Sequence, residues 1–355
     1  MSDTQKTIFV GLSGGVDSSV AAHILKNQGY AVVGVFIKIW QPEFIHCTWE
    51  EDRAAALRSA AHLEIPFQTL DLSDVYKKEV IDYLIAEYTA GRTPNPDVMC
   101  NRSVKFGAFL DYALAEGADA IATGHYGAVE EKEGAYALLQ PKDKTKDQTY
   151  FLWTLTQQQL SRSLFPLYAM TKDEVRAYAV EHRLPSATRS ESQGLCFIGD
   201  VEIRDFIRQY IPTNSGAVLN EAGAVIGEHE GAILYTYGQR HGFTVTSQKT
   251  DERAHFVIAK DIEKNTITVR SGSPEETAAE SITLENTHWI REVPHGEADA
   301  RTRHRGALRR AVIEDSSVSL AESAEKPSPG QSLVLYKDGE CLGGGIIATS
   351  DTTRH

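Results

Sequence analysis

The sequence predicts an α/β domain built on a parallel sheet, followed by two smaller, mostly β modules. Three observations carry this. Over the first 125 residues, short β-branched runs alternate with segments of helical period, as strands joined by crossover helices do. A turn rich in glycine, Gly14-Gly15, joins the first strand to the first helix. After about residue 200 the texture changes to short alternating runs punctuated by glycine and polar turns.

Residues 7–13 (TIFVGLS) form a continuous apolar run ending in small residues, as a buried parallel strand reads. Residues 18–28 carry apolar positions at helical spacing and stop at Gly29, a common residue just past a helix end. Residues 30–40 read as the second strand, 50–63 as a helix ending before Pro66, and 66–72 as the third strand. A long helix over 73–91 follows, with Ser73 as its N-cap. A helix around 104–116 then leads to a strand over 118–126. Beyond it, a short helix around 201–210 meets Pro212, GAVLNEAGAVIGEHEG reads as short strands, and 256–272 as a hairpin turning near Lys264 and Asn265. SITLENTHWI, the arginine-rich RTRHRGALRR (301–310) and QSLVLYKDGECLGGGII all read as strands, with Asp338-Gly339 as a two-residue hairpin turn and 321–330 as a loop. The domains are expected at 1–200, 201–275 and 276–355.

At 355 residues, 41% hydrophobic and 24% charged, the chain can bury a full core. No apolar run approaches the roughly 18 residues of a membrane helix, and the N-terminus lacks signal or transit character, so a soluble, cytoplasmic protein with no membrane partner is expected. The net charge of −13 argues against coating nucleic acid non-specifically. It leaves room for a local cationic patch, and residues 301–310 hold five arginines and no acid. Four separated cysteines, Cys47, Cys100, Cys196 and Cys341, with no CxxC pair, argue against a disulfide framework or a Cys-rich metal site. Any cysteine chemistry must come from residues that the fold brings together.

The strongest chemical signal is SGGVDSS, Ser13 to Ser19, between the first strand and its helix. Gly14 and Gly15 let the backbone turn sharply and expose successive N–H groups, and the helix adds its positive end, making a cradle for phosphate oxygens. Ser18 and Ser19 can donate further hydrogen bonds, and Asp17 could position Mg²⁺ or the loop. The Gly-Lys-Ser/Thr of a Walker A loop is missing, so γ-phosphate transfer is not the natural inference.

SGGVDSS resembles the PP-loop of the ATP-pyrophosphatase superfamily, whose members cleave ATP between the α and β phosphates and adenylate a substrate. Further strings, GRTPNPDVMCN (91–101), ATGHY (122–126), KDQTYFL (146–152), GLCFIGD (194–200), YGQRHG (237–242), TRHR (302–305) and PGQS…CLGGGII (329–347), occur in the order and at about the spacing of the tRNA-specific 2-thiouridylases. The resemblance covers nearly the whole chain. It implies a PP-loop fold of the adenine nucleotide alpha-hydrolase type, a β-barrel as the last domain, and replacement of the C2 oxygen of the tRNA wobble uridine by sulfur. The cofactors implied are ATP and Mg²⁺. The partners implied are tRNA and a persulfide donor, either a cysteine desulfurase or a sulfur-relay carrier.

Residue by residue, the resemblance places ATP on Gly11, Leu12, Ser13, Gly14, Gly15, Val16, Asp17 and Ser18, with Ile37 and with Gly124, where a side chain would obstruct the nucleotide. Cys196 matches the cysteine that carries sulfur as a persulfide. Cys100 matches its nucleophilic partner, which helps release sulfide or forms a transient disulfide with Cys196. Asn95, Pro96 and Asp97 match the loop that meets the target base, where an amide and a carboxylate can read a uracil edge. Lys146, Asp147, Gln148, His125, Arg303, His304 and Gln331 match tRNA-contacting positions. His125 has no metal-ligand partner at recognisable spacing, so no zinc site is expected, and Cys47 and Cys341 are read as structural. Two departures stand out: Ile39 replaces a usual Asn near the nucleotide site, and His304 a usual Tyr that can stack on a base. Rival readings are a PP-loop ligase acting on a small molecule and a non-catalytic RNA-binding protein with a vestigial loop.

Overall fold

The computed structural model describes residues 5–44, 49–189, 202–246, 254–272, 281–314, 317–321 and 327–349. Its first domain contains strands β1 (Thr7–Gly11), β2 (Ala31–Lys38), β3 (Phe67–Asp71), β4 (Ala120–Ala122), a hairpin β5 (Ala128–Lys132) and β6 (Ala135–Leu139), and β7 (Ser163–Leu164). The order β3-β2-β1-β4-β7 is parallel throughout. Because side chains alternate along a strand, β1 sends Ile8 and Val10 into one core and Phe9 into another on the opposite face. Helices α1 (Val16–Asn27) and α2 (Trp49–His62) and the helix Lys172–Glu181 cover the first face. The helical runs Ser73–Thr89 and Pro96–Ala115, each containing a π-helical stretch (Lys77–Asp82 and Cys100–Ala108), cover the other.

The expected alternation of strand and helix is therefore present, with two local corrections. Helix α1 ends as expected at Gly29, whose φ of +90° suits glycine. The helix after β3 begins at Ser73, so Leu72 rather than Ser73 holds the N-cap position, and the Asp71 carboxylate accepts the Ser73 N–H at 3.0 Å. Lys38 also donates to Asp71 at 2.8 Å, and that bond is the main reason the carboxyl titrates near 2. The second correction concerns RTRHRGALRR. Arg301 closes one strand and Arg309 opens the next, while residues 302–308 form their connection.

The second module pairs β8 (Gly216–Leu219), β9 (Val225–His229), β10 (Phe243–Val245), β11 (His255–Asp261) and β12 (Thr266–Ser271) in the order β10-β9-β8-β12-β11. The third contains β13 (Ser281–Trp289), β14 (Gly296–Arg301), β15 (Arg309–Glu314), β16 (Ser317–Leu320), β17 (Ser332–Lys337) and β18 (Glu340–Ile347). Since β13 pairs with both β16 and β18, these six strands close into a barrel. The expected boundaries at 200/201 and 275/276 fall outside the described residues. No helix among the described residues is long and apolar enough to cross a membrane.

The first domain and the barrel interlock. β6 extends the barrel sheet at β18, with Leu138 opposite Cys341 and Leu139 opposite Glu340. The segment 147–157 then runs along the barrel. The Asp147 carboxylate, 3% exposed, accepts from the Thr149 N–H and hydroxyl (3.0 and 2.6 Å), from Gln140 Nε2 (2.6 Å) and from Arg301 Nη1 (3.0 Å). Tyr150 donates its hydroxyl to the Ser332 carbonyl and Trp153 its indole N–H to Ser332 Oγ. Gln157 donates to the Ile290 carbonyl.

A buried ion pair broken from one side leaves the other charge stranded, at a cost of about 3 kcal/mol. We therefore expect Arg301→Met to lower the thermal midpoint clearly. Arg310→Met, which removes an exposed partner of Asp299, should change it little. Calorimetry of the two variants checks this, and equal midpoints would contradict the structural role assigned to Asp147.

Candidate functional site

Strand order reverses between β1 and β4, since the chain leaves β1 for β2 on one side and reaches β4 on the other. Ligands of open α/β sheets bind at the carboxyl ends of strands at such a switch point. The turns after these two strands are SGGVDSS and TGHY.

The first turn is held by its own serines. Ser18 Oγ receives the Ser13 N–H, lies 3.2 Å from Ser13 Oγ and donates to the Gly15 carbonyl. Ser19 Oγ also donates to that carbonyl at 2.9 Å. Gly14 has φ +81°, and a Cβ there would lie 2.5 Å from Arg189 Nη1 and 2.7 Å from the Asp52 carbonyl, so a larger residue must displace α2 or Arg189. Gly124 is excluded from having a side chain for a reason the sequence did not suggest. Its Cβ would meet the Asp17–Ser18 peptide at 2.7 Å, so it seats β4 against the loop itself.

Asp17, in the first turn of α1, faces a cation. Lys172 Nζ, on a residue 8% exposed, lies 2.8 and 2.7 Å from its two carboxylate oxygens, and Tyr126 donates its hydroxyl at 2.9 Å. Lys172 was not among the expected site residues, although the sequence carries a signal for its position. Thr171-Lys172-Asp173-Glu174 is a capping box, with Thr171 Oγ1 accepting the Glu174 N–H and Glu174 accepting the Thr171 N–H. That places Lys172 at the first position of a helix, but only the fold aims it at residue 17. Ile37 and Ile39 point into the hydrophobic core, so Ile37 can offer a nucleotide only its backbone, and the Ile39 departure falls on an apolar position.

The second group of residues surrounds Cys100. This thiol is 0% exposed and opens the π-helical stretch, a backbone irregularity that often marks functional sites. From that stretch Lys105 Nζ approaches His125 Nε2 (3.5 Å), and from its first turn Asn101 donates to the Phe151 carbonyl. The preceding loop, which bears Asn95, Pro96 and Asp97, is clamped from the barrel. Gln331 Nε2 donates to the carbonyls of Thr93 (2.9 Å) and Pro94 (3.2 Å), and the Thr93 N–H donates to the Pro329 carbonyl. Cys196 and Cys47 lie outside the described residues. Cys341, by contrast, is sealed in β18, and burial pushes its thiol up to about 12, in keeping with a structural role.

Several positions expected to touch tRNA are engaged within the protein. Asp147 is consumed by the contacts described above. Gln148 accepts the Tyr126 N–H at 2.8 Å, and Gln331 braces the residue 93–94 backbone. His125 is buried beside Phe106 and Phe165, bonded through Nδ1 to Thr123 Oγ1 at 2.7 Å, and burial holds its pKa well below the ordinary value. His304 stacks on Phe151 with ring centroids 4.4 Å apart, and burial lowers its pKa to about 4. All five have partners within the protein, with Asp147 and His125 buried and Gln148, His304 and Gln331 half-buried; Arg303 is exposed and Lys146 half-buried. Periodicity could not separate the two groups, because inward and outward polar residues look alike in a loop.

Comparison with known proteins finds relatives along the whole chain. Three family models match in succession: the tRNA methyl transferase HUP domain over residues 6–200, the tRNA methyl transferase PRC-barrel domain over 204–271, and the aminomethyltransferase beta-barrel domain over 279–347. The tRNA-specific 2-thiouridylase MnmA of Streptococcus thermophilus is 42% identical over 360 residues, 98% of this chain and 96% of that protein. That of Nitrosomonas eutropha is 42% identical over 355 residues, 97% and 98% of the two chains. A solved 4-thiouridine synthetase–RNA complex with bound ATP overlaps partially, with a TM-score of 0.39, 20% identity, and coverage of 58% of this chain and 50% of that one. The identity extends across all three domains, which neither a small-molecule ligase nor a vestigial RNA binder explains, and the chain belongs to the tRNA-specific 2-thiouridylase family.

Proposed function

We propose that this chain uses ATP to replace the C2 oxygen of the wobble uridine of tRNA by sulfur. The observation that carries this reading is the full-length family match, joined to a phosphate-type loop at the sheet's switch point. The uracil O2 attacks the α-phosphorus, the bond from that phosphorus to the bridging oxygen breaks, and pyrophosphate leaves. Loss of the N3 proton makes O2 the nucleophile. A poor leaving group thereby becomes AMP. The terminal sulfur of a Cys196 persulfide then attacks C2 and expels AMP. The Cys100 thiolate attacks Cys196 Sγ, the S–S bond breaks, and thiouridine departs with the sulfur and regains its N3 proton. The resulting Cys100–Cys196 disulfide is reduced by an external dithiol, and a donor protein reloads Cys196.

In this scheme Ser13, Gly14, Gly15 and Ser18 receive phosphate oxygens. Mg²⁺ enters with the triphosphate: the described residues hold no cluster of three acidic, histidine or cysteine side chains, so Asp17 is the one loop carboxylate suited to touch it. Asp17 would be its protein ligand, the metal would supply charge neutralisation for the phosphate oxygens, and Lys172 is the cation that faces this carboxylate from the neighbouring helix. The Asn95–Asp97 loop, held by Gln331, meets the base. Arg303, on the connection between β14 and β15, meets the anticodon stem, so local cations on an otherwise acidic chain hold the polyanion. A cytoplasmic location is part of this reading.

Lys172→Met should reduce tRNA-dependent AMP formation about a hundredfold in protein that is still folded at the assay temperature, because it removes a cation that faces developing charge. The stranded Asp17 carboxylate should lower the thermal midpoint less than the more deeply buried Asp147 does in Arg301→Met. Undiminished AMP release would remove Lys172 from the reaction. Cys100→Ser and Cys196→Ser should each form the adenylate yet yield no thiouridine, since adenylation needs no thiol, whereas Cys341→Ser should remain active. Chromatography of digested tRNA reads this out, and thiouridine from Cys196→Ser would overturn the sulfur route. Arg303→Ala should weaken tRNA binding and make the slope of log K against log salt shallower by about one. An unchanged slope would place the tRNA footprint elsewhere.

A further inference from the structure

Cys100–Ala108, directly after the base loop, is π-helical. In a regular helix of about 3.6 residues per turn, the side chain five positions on points well away from the first. In a π-helical stretch the backbone bonds join residues five apart, so that position returns to the same face. Lys105 therefore lies one turn beyond Cys100, on the thiol's side of the helix. The irregular form is held from outside, since Gln159 Nε2 donates to the carbonyls of Arg102 (3.3 Å) and Phe106 (2.9 Å). Lys105 is half-buried, and its Nζ lies 3.5 Å from His125 Nε2, in the TGHY turn. An ammonium only donates, so His125 Nε2 presents its lone pair and Nδ1–H donates to Thr123 Oγ1 at 2.7 Å. Burial keeps this imidazole neutral, so it sets no competing charge beside Lys105.

The sulfur route needs Cys100 as a thiolate, yet the residue is 0% exposed, and burial favours the neutral thiol. Cys341 shows the effect of burial on a thiol in a barrel strand, where it is pushed up to about 12. Asp97, three residues before Cys100, would oppose a thiolate further. Tyr76 and Tyr150, which share the core with Cys100, are buried phenols and supply no positive charge. Arg102 is exposed and His125 is neutral. Among the described residues of this stretch and its neighbours, Lys105 is the cation left to meet a thiolate. We propose that Lys105 is a positioning residue of the sulfur step, its ammonium held by His125 so that it stabilises the Cys100 thiolate. This rests on the sulfur route above and deepens it. The thiol proton passes to solvent, Lys105 keeps its own, and the sulfur lone pair is then free to attack. The inference also gives the π-helical stretch a purpose, because a regular helix would turn the ammonium off the thiol's face.

Ultraviolet thiolate absorbance of the full chain, titrated against pH and corrected by the same chain carrying Cys100→Ser, isolates this thiol. It should ionise below the ordinary value of roughly 8.5. Lys105→Met should raise the midpoint by about one pH unit, a tenfold change in the ionisation constant. Lys105→Arg, which keeps the charge, should shift it less. His125→Phe keeps a ring beside Phe106 and Phe165 but offers Lys105 no lone pair, so it should raise the midpoint by a smaller amount than Lys105→Met. Thiouridine formation by Lys105→Met should fall about tenfold near neutral pH and recover as the pH is raised, which a merely structural lesion would not do. An unchanged midpoint in Lys105→Met, or in His125→Phe should Lys105→Met fail to fold, overturns the inference and leaves the sulfur route standing. Thiouridine formation by Cys100→Ser at the wild-type rate overturns that route and this inference together.

Discussion

One buried carboxylate, Asp147, joins the catalytic domain to the barrel. A charge 3% exposed must have its lone pairs answered, and Asp147 takes donors from its own turn, from Gln140 and from Arg301 at the end of β14. That requirement fixes the path of residues 147–157 along the barrel, where Tyr150 and Trp153 converge on Ser332. Ser332 follows Gln331, which holds the backbone just before Asn95. The loop assigned to the target base is thus positioned by a chain of contacts running through a different domain. Asp147 and Gln331, two positions that the family resemblance places against tRNA, are links of that chain.

The nucleotide end of the site depends on a different balance. Asp17 and Lys172 meet through both carboxylate oxygens, with the Tyr126 hydroxyl as a third member. Lys172 comes from the helix that packs on α1, and Tyr126 from the turn after β4. The loop is thereby held from two sides before any nucleotide arrives, and Gly124 lets β4 close against it. Such preorganisation matters because dipoles and charges already in place need not reorganise during reaction. On the far side of Gly14, Arg189 is oriented by Asp52 in the same manner.

The thiols divide by environment rather than by sequence. Cys341 is sealed between β17 and β6, where thiolate formation is disfavoured. Cys100 is equally buried but opens an irregular helix directly after the base loop. Burial alone therefore does not sort them; they differ in backbone setting, a regular barrel strand for Cys341 and the start of a π-helical stretch for Cys100.

The sequence by itself determined the elements whose signals are local. Alternating apolar runs, the Gly29 stop, the Asp338-Gly339 turn and the SGGVDSS cradle all depend on a few neighbouring residues, and each is found where the pattern places it. The cysteine pair and the tRNA positions were legible only as a likeness of strings, and Cys196 lies outside the described residues. Tertiary structure alone decided the rest. It gave Asp147, Gln148, His125, His304 and Gln331 partners within the protein, made the arginine run a connection between strands, and brought Lys172 to a carboxylate 155 positions earlier. The physical reason is that a polar side chain in a loop carries no periodic signature. Whether it faces water, a substrate or a buried charge is set by which distant element packs on it.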